Sequence, residues 1–161
     1  MLCLACRTIE NCTGHEAGRL LLSELYRQHT GAQMPAILIA PQGKPYWENS
    51  SLHFSISHSK AHVFCALSDR PIGIDAEELN RDVNLKLADR ILSPFELEQY
   101  QQAEDKRLAL LKFWVLKEAQ AKLTGEGIKF HPTHTNFSLD DPRVTVQENC
   151  LLAVMEEEYV V

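Results

Sequence analysis

The sequence has no hydrophobic run long enough to cross a membrane. Its longest apolar runs, Met1 to Cys6 and Cys150 to Met155, have only six residues, far below the roughly 18 residues that span a bilayer. The first residues, Met1 to Cys6, lack the basic start and the apolar length of a signal peptide. These absences argue against a membrane protein and a secreted one, and we expect a cytoplasmic location.

The sequence also lacks an excess of positive charge and a disulfide framework. Its net charge is −6, which argues against broad nucleic-acid binding because such binding needs a basic surface. Five scattered cysteines are an odd set and favour reduced thiols. Cys3 and Cys6 form a C-x-x-C pair, but a zinc site there would also need Cys12 and His15. Small apolar side chains on a strand are the favoured interpretation.

What the sequence does contain is an alternation of short strands and helices, without repeats. We predict strands at 2–9, 36–40, 54–56, 63–67, from 72 onward, 136–139, 144–146 and 151–155, and helices at 15–29, 85–92, from 94 onward and 106–123. The helix from Pro94 begins with a capping box, Ser93 with Glu96, and Gly125 and Gly127 end the last helix. This order predicts an α+β fold in a single domain over 1–161.

An acidic motif follows the start of the strand at residue 72. Residues two apart on a strand face the same side, so Asp75 and Glu77 project together beside Gly73, which leaves room for a close approach. Two neighbouring carboxylates repel each other unless a cation lies between them. Mg²⁺ with substrate phosphates is the functional interpretation, and a solvated acidic turn is the alternative.

The last predicted helix carries a second motif. Trp114, Glu118 and Lys122 are four residues apart and share one face. In the functional interpretation Glu118 is a third metal ligand and Lys122 a cation for phosphate oxygens. The alternative is a Glu–Lys pair beside a core tryptophan. Lys117 lies on another face, where it either contacts a phosphate or is solvated.

Two loops supply further polar groups. Ser57 and His58, within 54–59, suit contacts to a phosphate or a base, although a polar hairpin turn explains them equally simply. No G-x-S-x-G nucleophile elbow surrounds these serines. Lys44, between Gly43 and Pro45, has a restricted backbone that suits phosphate binding, and an ordinary surface turn is the alternative.

The order and spacing of these motifs resemble the signature of the 4′-phosphopantetheinyl transferase superfamily. Residues 72–77 and 114–122 match that signature, with 38 residues between Asp75 and Trp114. Residues 43–45 and 54–59 are similar to two extra motifs of its longer, surfactin-synthetase-activating branch. Residues 90–96 resemble the segment that precedes the signature helix.

This resemblance implies a fold and an activity. The fold is two similar α/β halves around a pseudo-twofold axis, about 1–70 and 71–161, in a monomer. The activity is Mg²⁺-dependent transfer of 4′-phosphopantetheine from coenzyme A to a serine of an apo acyl or peptidyl carrier protein, with release of 3′,5′-ADP. The alternatives are a catalytically weak paralogue that binds coenzyme A or a carrier protein, and a metal-dependent phosphohydrolase.

The resemblance also implies roles for individual residues. Asp75, Glu77 and Glu118 would hold Mg²⁺. Glu118 would also be the general base, with a metal-bound water as the alternative, and Lys122 would bind the diphosphate. The coenzyme A contacts would come from Arg19, Lys44, Ser57, His58 and Lys117. Only Arg7 and Arg19 supply positive charge up to the first turns of the first helix, so the hold on the 3′-phosphate is either weaker than in longer relatives or supplied by other residues.

Overall fold

The computed structural model describes residues 1–127 and 131–158. In this part of the chain the helices are α1 (Gly14–Thr30), α2 (Ala88–Ile91), α3 (Pro94–Gln102) and α4 (Lys106–Thr124). The strands are β1 (Leu2–Thr8), β2 (Leu38–Ile39), β3 (Pro45–Tyr46), β4 (His53–His58), β5 (His62–Ser68), β6 (Ile72–Glu78), β7 (Val144–Gln147) and β8 (Cys150–Glu156). Short 3-10 turns cover Leu85–Leu87 and Pro132–His134. The predicted α+β class is confirmed. Over the same residues, no helix combines the length and the apolar character that crossing a bilayer requires.

The strands form two three-stranded antiparallel sheets and one small hairpin. In the first sheet β5 lies between β1 and β4, and in the second β8 lies between β6 and β7. The hairpin pairs β2 with β3. Helix α1 packs on the first sheet and α4 on the second. The pseudo-twofold axis and the division into halves near residue 70 stay predictions.

The two sheets share an apolar layer. Strand alternation turns Phe64 and Ala66 of β5 away from the core under α1. They pack instead against Ile72 and Ile74 of β6 and against Leu152 of β8. All five side chains are at most 2% exposed. The central strands β5 and β8 are therefore covered on both faces, one by the helix of their sheet and the other by the opposite sheet.

Two serines join β4 to β6, and we call them the serine seam. Ser55 Oγ accepts a hydrogen bond from the backbone N–H of Ile74, and Ser57 Oγ accepts one from that of Ala76, each at 3.0 Å. Both serines are buried. A buried backbone N–H must find an acceptor. Here the two hydroxyls of β4 accept from two N–H groups of β6, in place of the backbone carbonyls of a neighbouring strand.

The helix ends follow the sequence signals. Ser93 Oγ accepts a hydrogen bond from the Glu96 N–H at 3.2 Å, and the Glu96 carboxylate accepts one from the Ser93 N–H at 2.9 Å. The predicted capping box of α3 is thus confirmed. Gly125 ends α4 in the left-handed conformation, with φ of 73°, which a residue with a Cβ adopts only at a cost.

The predicted strand at 136–139 is wrong. Side chains of α3 bind the backbone of this segment in place of a neighbouring strand. The N–H of Phe137 donates to Glu96 Oε2 at 3.3 Å, and the N–H of Leu139 donates to Gln99 Oε1 at 3.0 Å. Gln99 Nε2 donates in turn to the Phe137 carbonyl at 3.0 Å. The alternating pattern alone did not reveal these partners.

Other predicted elements change in extent. The helix predicted at 85–92 is a 3-10 turn followed by the single turn of α2. The strand predicted at 36–40 shrinks to Leu38–Ile39, which pairs with Pro45–Tyr46 from the predicted loop. Pro41 and Pro45 lack amide protons, which limits the length of this hairpin.

The C-x-x-C pair does not form a site. Cys3 packs against the core under α1, whereas Cys6 packs against the layer shared by the two sheets. Residues three apart on a strand point to opposite faces. All five cysteines are free thiols, and these two behave as small apolar side chains.

Candidate functional site

Strand β6 and helix α4 lie unusually close together at Gly73. A Cβ on this residue would lie 2.1 Å from the Ala119 carbonyl oxygen and 2.3 Å from the backbone nitrogen of Leu123. Only glycine permits this contact, because backbone atoms cannot give way as a flexible side chain does. The contact brings Glu118 and Lys122 of α4 towards Asp75, two residues along β6.

Asp75 is held by two donors on one of its oxygens. Lys122 Nζ lies 2.9 Å from Asp75 Oδ1, and the hydroxyl of Ser57 donates to the same oxygen at 3.2 Å. The residue is 6% exposed. Burial raises the pKa of Asp75, and the Lys122 ammonium opposes that rise. The other oxygen, Oδ2, is buried without a hydrogen-bond partner in the described part of the chain.

Glu118 is half-buried and interacts electrostatically with the carboxylates of Asp75 and Glu77. Burial raises the pKa of Glu118, and the negative charges of Asp75 and Glu77 raise it further. The Lys122 ammonium acts in the opposite direction. Three carboxylates and one ammonium therefore share this region electrostatically, and Glu118 is a stronger base than an exposed glutamate.

Glu77 forms an ion pair with Arg81, whose guanidinium binds Glu77 Oε1. Within 1–127 and 131–158, no three His, Cys, Asp or Glu side chains are grouped as a ready-made metal site. The donor chemistry nevertheless fits a hard divalent cation. Carboxylate oxygens are the ligands that such cations prefer, and the unpartnered Asp75 Oδ2 is a buried acceptor that lacks a donor.

A cleft of about 620 Å³ opens in front of this region. Its walls are largely apolar, with Phe54, Ile56, Ile91 and Trp114 among them. Lys44, Lys117, Glu118 and Lys122 supply charged groups to the same cleft. Apolar walls exclude water, so each fixed charge acts on a bound ligand more strongly than it would in solution.

Lys44 connects the 41–45 loop to the end of α4. Its Nζ donates to the Leu123 carbonyl at 2.6 Å, at the helix end where the dipole favours a cation. Gly125 packs against the stem of the same side chain. Burial lowers the pKa of Lys44, with Glu157 opposing. The predicted phosphate contact of Lys44 stays a prediction, although the residue does line the cleft.

Lys117 is neither solvated nor unpartnered. Its Nζ binds both carboxylate oxygens of Glu96, at 2.6 and 2.9 Å, together with the Pro132 carbonyl and the Thr135 hydroxyl. The residue is 2% exposed and Glu96 is fully buried. Burial lowers the pKa of Lys117, and Glu96 opposes that effect. An ammonium has three protons, so a phosphate contact would require part of this network to break.

The remaining predicted residues lie at varying distances from the cleft. Ser57 gives its only proton to Asp75, so in this structure it orients a carboxylate. His58 is exposed at the end of β4, and its ring packs against Gly14 at the start of α1, where a helix favours anions. Arg19 is half-buried on α1 and is not among the residues that line the cleft in the described ranges.

Sequence reasoning missed two features of this site. It did not find Glu96 as the partner of Lys117, because 21 residues separate them. It also missed the bond from Ser57 to Asp75. The available signal was the Ser55–Ser57 spacing on a strand, which puts two hydroxyls on one side of β4 but does not identify the strand they contact.

Comparisons with known proteins identify a family for this chain. The family model described as the 4′-phosphopantetheinyl transferase superfamily matches residues 71–157. That range contains β6 and α4, and Asp75, Glu77 and Glu118 all lie within it. The match extends over more than half of the chain.

Several curated relatives carry this family name. The chain is 35% identical over 125 residues to 4′-phosphopantetheinyl transferase psf-1 of Bacillus pumilus, covering 71% of this chain and 53% of the relative. It is 30% identical over 128 residues to a 4′-phosphopantetheinyl transferase of Bacillus subtilis, with 73% and 57% covered. For HetI of Nostoc sp. the identity is 34% over 122 residues, with 70% and 52% covered. The chain thus spans about half the length of the curated relatives it matches.

Proposed function

This chain belongs to the 4′-phosphopantetheinyl transferase superfamily, and we propose that it transfers 4′-phosphopantetheine from coenzyme A to a serine of an apo carrier protein. The observation that carries the proposal is the placement of Glu118 and Lys122 beside Asp75 at an apolar cleft. The three residues fall in the region that the family model matches.

Asp75, Glu77 and Glu118 are the proposed ligands of Mg²⁺. Their carboxylates suit this ion, and the raised pKa of Glu118 reflects their mutual repulsion as well as burial. When bound, the ion neutralises negative charge on the diphosphate of coenzyme A. Glu77 would release Arg81 to bind the ion, and Lys122 would release Asp75 to bind the diphosphate.

The cationic groups of the cleft are proposed to hold coenzyme A. Lys122 binds the diphosphate and Lys44 a phosphate near the nucleotide, since both line the cleft. His58, whose ring packs against Gly14 at the start of α1, contacts the 3′-phosphoadenosine end. Arg19 reaches the 3′-phosphate from α1 only after its side chain extends towards the cleft. Lys117 contributes by fixing α4 through its pair with Glu96.

The proposed reaction begins at the carrier serine. Glu118 accepts the hydroxyl proton, because its raised pKa makes it a stronger base than an exposed glutamate. The serine oxygen then forms a bond to the β-phosphorus of coenzyme A. The bond from that phosphorus to the bridging oxygen breaks, and 3′,5′-ADP leaves with the electron pair. Lys122 donates hydrogen bonds to the oxygens on which negative charge develops.

The proposed partners are coenzyme A and an apo acyl or peptidyl carrier protein. We propose that the protein is a cytoplasmic monomer, and the monomeric state is the one that the longer branch of the family implies. Both assignments can be checked separately from catalysis, by cell fractionation and by light scattering of the purified chain.

Intact-mass spectrometry tests the reaction directly. Apo carrier proteins of the fatty-acid, polyketide and nonribosomal-peptide classes are incubated with the protein, coenzyme A and Mg²⁺. We expect the carrier to gain one phosphopantetheine group, and we expect Glu118→Ala and Asp75→Ala to abolish the gain. Glu78→Ala is the matched control, because strand alternation turns Glu78 away from Glu77 towards His62 and Asn149. It should keep the activity.

Each negative outcome identifies an alternative. If no carrier of any class gains mass while coenzyme A still binds, the chain is a binding paralogue. Loss of coenzyme A in the absence of any carrier would indicate a phosphohydrolase. Equal loss of activity in Glu78→Ala and Asp75→Ala would contradict the proposed ligand set.

A further inference from the structure

The two oxygens of the Asp75 carboxylate have different surroundings. Oδ1 accepts hydrogen bonds from the Ser57 hydroxyl and the Lys122 ammonium. Oδ2 is buried and has no partner among the described residues. A buried, unpartnered carboxylate oxygen costs free energy, so the fold holds a group that it does not itself satisfy.

We infer that Ser57 is a positioning residue, which holds Oδ1 of Asp75 and thereby keeps Oδ2 available for the divalent cation. This inference rests on the proposed function, because it needs Asp75 to be a metal ligand. It assigns to β4 a part in metal binding, although all three proposed ligands lie on β6 and α4. The donors behind a metal ligand commonly decide how well that ligand is oriented.

Ser57 can fix Asp75 because its own hydroxyl is fixed. Its Oγ accepts the N–H of Ala76 at 3.0 Å, which leaves the single hydroxyl proton for Asp75. The residue is 5% exposed, so water does not compete for that proton. Lys122 binds the same Oδ1 but is proposed to turn to the diphosphate, and Ser57 is then the donor that stays.

The other serine of the seam provides a matched control. Ser55 Oγ accepts the N–H of Ile74 at 3.0 Å, the same type of bond to the same strand. Ser55 is also buried, but Asp75 is not among its hydrogen-bond partners in the described part of the chain. Ser55→Ala and Ser57→Ala therefore remove equivalent bonds to β6, and only the second also removes a donor from Asp75.

The resemblance to the family gives Ser57 a different role, as a contact to the 3′-phosphoadenosine end of coenzyme A. The two roles differ in what they affect. A contact to the nucleotide changes the affinity for coenzyme A without any metal. A donor to Asp75 changes the affinity for the metal and leaves metal-free coenzyme A binding unaltered.

The test measures Mn²⁺ binding by electron paramagnetic resonance, with saturating coenzyme A and no carrier protein. We expect Ser57→Ala to weaken Mn²⁺ binding about tenfold, the lower end of the range for such donors, and Ser55→Ala to bind like the wild type. Calorimetry in EDTA should give the same coenzyme A affinity for Ser57→Ala as for the wild type. Ser57→Thr and Ser57→Val form a second pair, equal in shape and different in the hydroxyl, in case alanine prevents folding. Thr should bind Mn²⁺ more tightly than Val.

The outcomes separate this inference from the proposed function. If the wild type binds Mn²⁺ no better than Asp75→Asn, the metal site itself is wrong and the inference falls with it. If the wild type binds Mn²⁺ but the two alanine variants are equal, and Thr equals Val, only the role of Ser57 is wrong. A fall in metal-free coenzyme A affinity in Ser57→Ala, with Mn²⁺ affinity unchanged, would restore the nucleotide contact.

Discussion

The buried ion pair between Glu96 and Lys117 makes a strong prediction for Glu96→Gln. The side chains of Glu96 and Lys117 are 0% and 2% exposed, and their closest atoms lie 2.6 Å apart. Glutamine keeps the shape of Glu96 but removes its charge, which leaves the Lys117 ammonium buried beside a neutral amide. Breaking such a pair from one side costs about 3–5 kcal/mol. We therefore expect Glu96→Gln to lose that much free energy of unfolding.

The matched control is the same substitution in an exposed ion pair. The guanidinium of Arg7 binds Glu24, and the two side chains are 45% and 49% exposed. Exposed pairs contribute about 0–1 kcal/mol, so Glu24→Gln should have little effect. Urea unfolding at neutral pH measures both variants, and equal slopes would show that their midpoints report stability alone.

A second substitution tests the cause. Adding Lys117→Met to Glu96→Gln removes the stranded ammonium, so the double variant should be more stable than Glu96→Gln alone. The reasoning is refuted if Glu96→Gln costs no more than Glu24→Gln. It is also refuted if Glu96→Gln keeps full stability and only coenzyme A affinity falls, since Lys117 would then act mainly on the ligand.

Three further predictions follow from the site. Because the pKa of Glu118 is raised in the fold, the folded state binds the Glu118 proton more tightly than the unfolded state does. This difference stabilises the fold at low pH, and the stabilisation is lost as the pH rises through the raised pKa. Glu118→Gln should thus raise the melting temperature by about 1–3 °C at pH 7 and by less near pH 4. The rate of transfer should fall at least about 100-fold. A lower melting temperature at pH 7 would contradict the reasoning from the pKa. Gly73→Ala should lower the free energy of unfolding by about 3 kcal/mol, or prevent folding, because its Cβ clashes with the backbone of α4. Gly31→Ala has open space around it and only a φ of 72° to strain, so it should lower the free energy of unfolding by about 1–2 kcal/mol. Chemical denaturation that ranks the two variants the other way would overturn the packing argument. Lys44→Met removes the hydrogen bond to the Leu123 carbonyl, so denaturation should show a loss of about 1 kcal/mol in the free energy of unfolding. Calorimetry should also show weaker coenzyme A binding. Unchanged coenzyme A affinity would remove Lys44 from the proposed binding residues.

Local signals predicted the elements whose ends depend on neighbouring residues. The capping box at Ser93 and the glycine stop at Gly125 were read correctly, because each involves residues within one turn of the helix end. The segment 136–139 was misread as a strand. Its backbone partners are Glu96 and Gln99, about 40 residues earlier, and an alternating pattern carries no information about such distant donors and acceptors.

The same limit applies to the site. Helical spacing predicts Lys117 on a different face from Glu118 and Lys122, yet in the structure all three line the same cleft. The sequence could not show that Lys117 faces Glu96, because that contact depends on how α3 packs against α4. Nor could it show that Ser57 reaches Asp75, which depends on two strands from different sheets lying side by side.

The layer shared by the two sheets has a consequence for synthesis on the ribosome. Within the described residues, strand β6 forms its backbone ladder with β8 alone, and the register joins Glu78 to Cys150, about 70 residues later. Until β8 emerges, β6 has no ladder partner, and the apolar side of β5 that carries Phe64 has an incomplete cover. A nascent chain halted within α4 should therefore expose an apolar, aggregation-prone surface and recruit chaperones. That recruitment should end when translation passes β8.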